Sequence, residues 1–442
     1  MRKLLFYVAV LATFGYGCTS QEPEITSPKA DEAPQNVTVT TSSIRTLEEA
    51  AAIARDAVGM LPAPTSRSYA RTFNITNTKI LKNTSPSRGV TTDTLMYVFN
   101  FDNEQGYAIV AANRNLEPLV AVTEQGYYNP DEPIENPGFA DFMARAEATA
   151  NRELIRDTTL KPIDPINPEL SQYKSVDETI DKWEKTPNYN LRWGQRNPEG
   201  LLFDNTYSGC TNTAMAIIMS YFDFPTAIEL TFNNSKEVIA LNWPEIKQHV
   251  RSIDGDSFYD DCPSLYPNNH TIISKLLRQL GELNESFDVV ERTEDGKELH
   301  STGTYDSKPI STFEKLGYIV TSEYRDISDD ILYEMRYGYV LLVRGKEKNK
   351  RYGHNWVIDG IKYEKIRHSE WIKEYGKDWE IIGDYSYRYR KFCHCNWGWN
   401  GNNNGWFNIN YYINPSVAGS FDGSHIGNNK QYENIGYTLV KR

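Results

Sequence analysis

Ser208-Gly209-Cys210-Thr211-Asn212-Thr213-Ala214-Met215-Ala216-Ile217-Ile218-Met219 is the stretch on which the reading of this chain turns. Gly209 permits a tight turn. The apolar run behind it is too long for an ordinary strand and is stopped by Pro225, which predicts a buried helix. Cys210 then falls in the first helical turn. Unpaired backbone N–H groups and the helix dipole favour negative charge there, and so favour thiolate over thiol. That is one route to a cysteine nucleophile near neutral pH. The competing reading is a buried structural cysteine, because free Cys is among the most buried residue types.

A nucleophilic thiol needs a base from elsewhere in the chain. Seven His are available. His249, His270, His300, His368 and His425 stand in polar or loop-like contexts. His354 follows Tyr352-Gly353 and opens a predicted strand, Asn355-Trp356-Val357-Ile358-Asp359-Gly360. A base at a strand start faces a cleft while the sheet holds the rest. His394, beside Asn396, is its rival. An imidazole base also needs one ring nitrogen oriented by another group. Asn396, at a strand end, offers its side-chain oxygen, and Trp397 would cover that bond. The Asn/Gly run that follows holds no carboxylate from Asn396 to Asn410, which fits a polar turn and not a calcium loop. Trp193-Gly194-Gln195 offers a side-chain amide that, with the backbone N–H of Cys210, would make a two-donor oxyanion site. Alone, Gln195 reads as a surface residue.

Outward from these segments, the 442 residues suggest two or three domains. Hydrophobic residues at 39% suffice for packed cores, and a net charge of −12 argues against a nucleic-acid partner. Arg2 and Lys3, an apolar Leu4–Phe14 and then Gly15-Tyr16-Gly17-Cys18 predict an export signal over 1–17, too short to span a bilayer. Small residues before Cys resemble a lipobox, so Cys18 is expected to be lipidated, although Gly15 stands where Leu is usual. The expected location is the outer membrane, the cell surface or the periplasm, as a bacterial lipoprotein. Of the four other cysteines, Cys393 and Cys395 lie two apart on a predicted strand, with both thiols on one face. The four do not form a disulfide framework, and no cofactor or metal is expected.

A polar tether, 18–40, precedes a domain expected over 41–160. Thr46-Leu-Glu-Glu49 is a capping box opening an amphipathic helix that Gly59 and Pro62 end. Strands are predicted over Leu95–Phe101, Tyr107–Ala112 and Leu119–Thr123, and a second helix through Phe139, Phe142, Met143, Ala146, Ala150 and Leu154. Prolines 162, 165 and 168 mark an extended linker, 161–175. The remainder, 176–442, is expected to open with helix and loop and to end in strands.

These segments, in this order, resemble the streptopain family of bacterial cysteine peptidases. The resemblance rests on Trp193-Gly-Gln195, Gly209-Cys210 with Thr213-Ala-Met-Ala, Gly353-His354 with Val357-Ile-Asp-Gly360, and Asn396-Trp-Gly-Trp399. Tyr97-Val-Phe-Asn through Gly106-Tyr-Ala-Ile-Val-Ala is similar to that family's inhibitory propeptide. The fold implied is α+β: a papain-like cysteine protease domain preceded by a small α+β propeptide domain of helix plus antiparallel sheet. The resemblance implies that Cys210 is the nucleophile, His354 the general base, Gln195 the oxyanion donor, Asn396 the orienting residue and Trp397 the shield. It further implies a zymogen whose own propeptide is an intramolecular inhibitor. Protein or peptide substrates are expected, with a hydrophobic side chain favoured one residue before the scissile residue. The chain departs from the pattern in three places. Glu364–Lys391 is inserted and reads as an added hairpin, the Gln195–Cys210 gap is short, and Gly303-Thr304 matches the substrate wall only loosely. Other Cys/His acyl-transfer chemistry (a cell-wall amidohydrolase or a transglutaminase) and a non-catalytic surface protein are the alternative readings.

Overall fold

The capping box forms as the sequence requires. Thr46 Oγ1 accepts from the Glu49 N–H while Glu49 reaches back to the Thr46 N–H, and helix α1 (Leu47–Ala57) follows. The chain is described by a computed structural model at residues 43–62, 73–83, 94–155, 171–196, 199–232, 235–252, 267–292, 298–324, 327–347, 353–374, 376–412 and 432–442. The export signal, Cys18, the tether, Cys262 and the three linker prolines lie outside the described residues.

The N-terminal part is a four-stranded antiparallel meander: β1 (Ile75–Lys82), β2 (Thr94–Phe101), β3 (Tyr107–Ala111) and β4 (Leu119–Thr123). Strands β3 and β4 are buried throughout, and β2 from its second residue. Alternation explains why both faces are apolar. Tyr97, Phe99, Ala108 and Val110 pack with α1, while Met96, Val98, Ile109 and Ala111 face the second helix, α2 (Pro137–Ile155).

The C-terminal part begins with a departure from expectation. Residues Ser171–Lys185 form a long strand, β5, where an extended linker to 175 and then helix and loop were predicted. Cys210 then opens helix α3 (Cys210–Phe222), surrounded by α4 (Trp243–Ser252), α5 (Pro267–Leu283) and the hairpins β6 (Ala227–Phe232)/β7 (Ser235–Ala240) and β8 (Phe287–Arg292)/β9 (Glu298–Gly303). Ten of the thirteen residues of α3 are buried, which is why its sequence is apolar on every side. On its other flank lie β10 (Ile319–Val320), β11 (Val340–Glu347), β12 (Gly353–Glu374), β13 (Glu380–Asn396), β14 (Gly405–Asn408) and β15 (Tyr432–Lys441).

The two parts share one eleven-stranded sheet, ordered β1-β2-β3-β4-β14-β13-β12-β11-β15-β10, with β5 pairing β12. The junction is β4 against β14, where Gly405 faces Thr123 and Phe407 faces Ala121. Helix α2 covers that seam: Phe142 meets Phe407 edge-on at 4.8 Å, and Asp141 accepts the Tyr432 N–H at 2.9 Å. The predicted 364–391 hairpin is the long β12/β13 pair, with β5 added as a third strand.

Candidate active site

Local hydrogen bonding fixes the entry to α3. Gly209 has φ +83°, and a Cβ there would lie 2.6 Å from the Thr302 carbonyl oxygen, so both conformation and space call for glycine. Thr213 Oγ1 bonds the carbonyls of Gly194 (2.9 Å) and Gly209 (3.0 Å). The Ser208 N–H donates to the Gln195 carbonyl at 2.8 Å. The Trp193-Gly-Gln195 segment is therefore tied by backbone to the residues just before Cys210. Half-buried Gln195 is thus held by its carbonyl to Ser208, two residues before the thiol.

Opposite lies the start of β12. Asn355 Nδ2 donates to Thr211 Oγ1 at 2.7 Å and approaches the Cys210 sulfur at 4.0 Å, and the Asn355 backbone also bonds that sulfur. His354 is the adjoining residue, second in β12. Its ring is 3% exposed and lies parallel to Trp356 at 5.9 Å and edge-on to Trp399 at 6.2 Å.

Asn396 was expected to supply the oxygen on His354; in this structure a backbone carbonyl of the same turn does. Nε2 of His354 meets the backbone carbonyl of Trp397 at 3.1 Å. The Asn396 amide is used otherwise, with Nδ2 donating to the Leu191 carbonyl (3.1 Å) and Oδ1 accepting the Gly398 N–H (3.2 Å). The physical reason is the turn itself. Asn404 Oδ1 holds the Trp397 N–H, the Asn403 carbonyl takes the Trp397 indole N–H, and the left-handed Gly398 reverses the chain. Trp397 is fully buried against Trp356 and Phe407.

The N-terminal part reaches into this site. Asn136 caps the start of α2, accepting from Gly138 and Phe139, and donates to the Asn402 carbonyl at 3.2 Å. A Cβ on Gly138 would overlap the Trp397 ring and lie 3.4 Å from Cδ2 of His354.

Burial pushes the Cys210 thiol above its ordinary range, against the opposing pull of Asn355 and Thr211. The helix terminus was expected to favour thiolate; desolvation acts in the opposite direction. The rival base His394 is buried with Nδ1 on Asp359 and Nε2 on Glu124, so both of its nitrogens are committed to carboxylates. Cys393 and Cys395 are buried free thiols 3.7 Å apart on one face of β13. Among the described residues, no group of three or more His, Cys, Asp or Glu is arranged to hold a metal ion. Asn355 and Gly138 were not expected at the site. The first was readable as a polar residue in an otherwise apolar strand; the second carried no local signal.

The Peptidase C10 family model matches residues 183–407, just over half of the chain, and the Spi protease inhibitor model matches residues 34–150. No curated protein matches the chain. A solved fragment of prointerpain A from Prevotella intermedia is similar at 16% identity and a TM-score of 0.45, covering 83% of this chain and 98% of that one.

Proposed function

The chain belongs to the Peptidase C10 family, with a Spi protease inhibitor domain ahead of the peptidase, and on that premise we propose a cysteine endopeptidase exported as a latent precursor. One observation carries the reading: the thiol at the mouth of α3 and the start of β12 adjoin, while the inhibitor helix α2 lies on His354 and Trp397. In the proposed reaction the Cys210 thiolate attacks the scissile carbonyl. Gln195 and the Cys210 N–H hold the oxyanion, where one such donor is typically worth ~3 kcal/mol. His354, steadied through Nε2 by the Trp397 carbonyl, protonates the leaving amine, and water hydrolyses the thioester. Asn396 acts one step back, by holding the turn that presents that carbonyl.

Export and anchoring through Cys18 are part of the proposal, supported by the apolar segment and the small residues before it. No helix among the described residues is long and apolar enough to cross a membrane. Fatty-acid labelling of the full chain, lost in Cys18→Ala, is the expected result; labelling that survives removes the anchor from the account.

The activity test uses precursor cut between residues 155 and 171 and then separated from its inhibitory segment, with casein and peptidoglycan as substrates. Casein hydrolysis that disappears in Cys210→Ala is expected. Release of cell-wall fragments with casein untouched would overturn the endopeptidase reading in favour of an amidohydrolase.

A further inference from the structure

Away from the thiol, three ionisable side chains meet in the interior, each no more than 2% exposed. His394 on β13 gives Nδ1 to Asp359 of β12 and Nε2 to Glu124, which follows β4, both at 2.6 Å. The remaining carboxylate oxygens are satisfied by one strap of chain: Glu124 Oε2 accepts the Asn190 N–H at 2.7 Å, and Asp359 Oδ2 accepts the Asn188 N–H at 3.1 Å. His394 and Asp359 lie within the peptidase match, whereas Glu124 lies within the inhibitor match. The triad therefore spans the seam where β4 pairs β14. A buried carboxylate left without its partner is strongly destabilising, so the position of Glu124 is compatible with one docked geometry.

We infer that this triad is the lock of the latent precursor: Glu124 docks the inhibitory segment by recognising the His394–Asp359 pair, and opening that ion pair, not cutting the backbone, frees the cleft. The inference rests on the peptidase-zymogen reading but concerns a different set of atoms.

Charge supports it. Burial lowers the imidazole's proton affinity, but Asp359 and then Glu124 outweigh burial and hold His394 at about 10, so it is a cation at neutral pH. Other groups surround the triad. The Tyr189 and Trp406 rings stand edge-on to His394, and Lys362 lies over Trp406. Glu184 acts on Tyr189, while Lys185, depressed to about 8 by burial, and Tyr221, raised to about 12 by burial, both feel Asp359. The Cys395 thiol also feels Asp359 and is raised by burial. Docking that depends on the imidazolium is strongest at low pH and is lost as pH rises through about 10.

The test uses the full chain carrying Cys210→Ala and a specific protease site between residues 155 and 171, cut and then analysed for dissociation of the two pieces. At pH 7 the pieces are expected to stay together, and Glu124→Gln is expected to weaken their affinity at least tenfold. Raising the pH to 10.5 is expected to weaken the parent at least tenfold and Glu124→Gln by much less. Lys185 titrates in both, so the difference between them isolates the triad. Glu124→Gln within threefold of the parent, with the same pH profile, overturns the lock. Should Glu124→Gln fail to fold, judged by circular dichroism before cutting, Glu124→Asp keeps the charge and must retain the pH dependence; a flat profile in that variant also overturns it. Because the thiol is absent throughout, the result is independent of whether Cys210 is the nucleophile.

Discussion

At Cys210 two influences oppose each other on one sulfur. Burial raises the thiol, and the donors of Asn355 and Thr211 lower it. Asn355→Ala deletes the side-chain donor without touching the strand's backbone bond. Alkylation of Cys210 by iodoacetamide is then expected to slow several-fold at neutral pH and to need higher pH to recover, as loss of a weak hydrogen bond to sulfur implies. A rate–pH profile of the precursor, with labelling quantified by peptide mass, checks this; an unchanged or faster profile removes Asn355 from the site. In the same experiment Cys393 and Cys395 are expected to remain unlabelled until denaturant is added, since both are fully buried. Cys210, His354 and Trp397 could be singled out because each sits in a short motif whose local structure the sequence dictates. Asn396 was legible as a residue of the site but not in its bonds. A strand end beside the base suggests a direct contact, and only the closed turn through Asn403 and Asn404 shows the Trp397 carbonyl presented in its place.

At the scale of elements, α2 is the piece on which latency depends. Its first turn lies on the Trp397 ring with no room for a Cβ at Gly138. Gly138→Ala is expected to cost about 1–3 kcal/mol, the usual range for overpacking. It should therefore give uncut precursor a measurable hydrolysis of casein where the parent has none. A variant as silent as the parent would show that α2 docking does not govern the cleft. Helices α1, α2 and α3 and strands β2 to β4 were readable from periodicity, a capping box and a proline stop. Strand β5 was not. Its Val176, Ile180 and Trp183 are spaced by four and three, a helical rhythm, yet Val176 and Ile180 stay exposed and only Trp183 is buried. What makes β5 a strand is pairing to β12 along nearly its whole length, a partner nearly two hundred residues away. Strand β1 was missed for a related reason: most of its eight residues are not buried, so no apolar alternation marks it.

For the whole molecule, one continuous sheet joins inhibitor and peptidase, so latency and stability are linked. His394 is raised to about 10, and its contribution is full below about 6.5 and declines above that. Lys185, depressed to about 8, acts with the opposite sign at higher pH. The Tm of the Cys210→Ala precursor is therefore expected to fall between pH 6.5 and 8, less so in Glu124→Gln; calorimetry showing a flat or rising Tm over that interval would contradict it. This seam was hidden from the sequence because Glu124 is unremarkable where it stands and meets Asp359 and His394, which the β12/β13 pairing brings together, only through the β4/β14 junction. The most direct measurement returns to the sulfur: an epoxysuccinyl thiol-protease inhibitor is added to the cut, inhibitor-free enzyme, and the adduct is located by peptide mass. The account predicts one adduct, on Cys210, lost in Cys210→Ala and strongly reduced in His354→Ala. An adduct on another thiol, or labelling that survives Cys210→Ala, would contradict it.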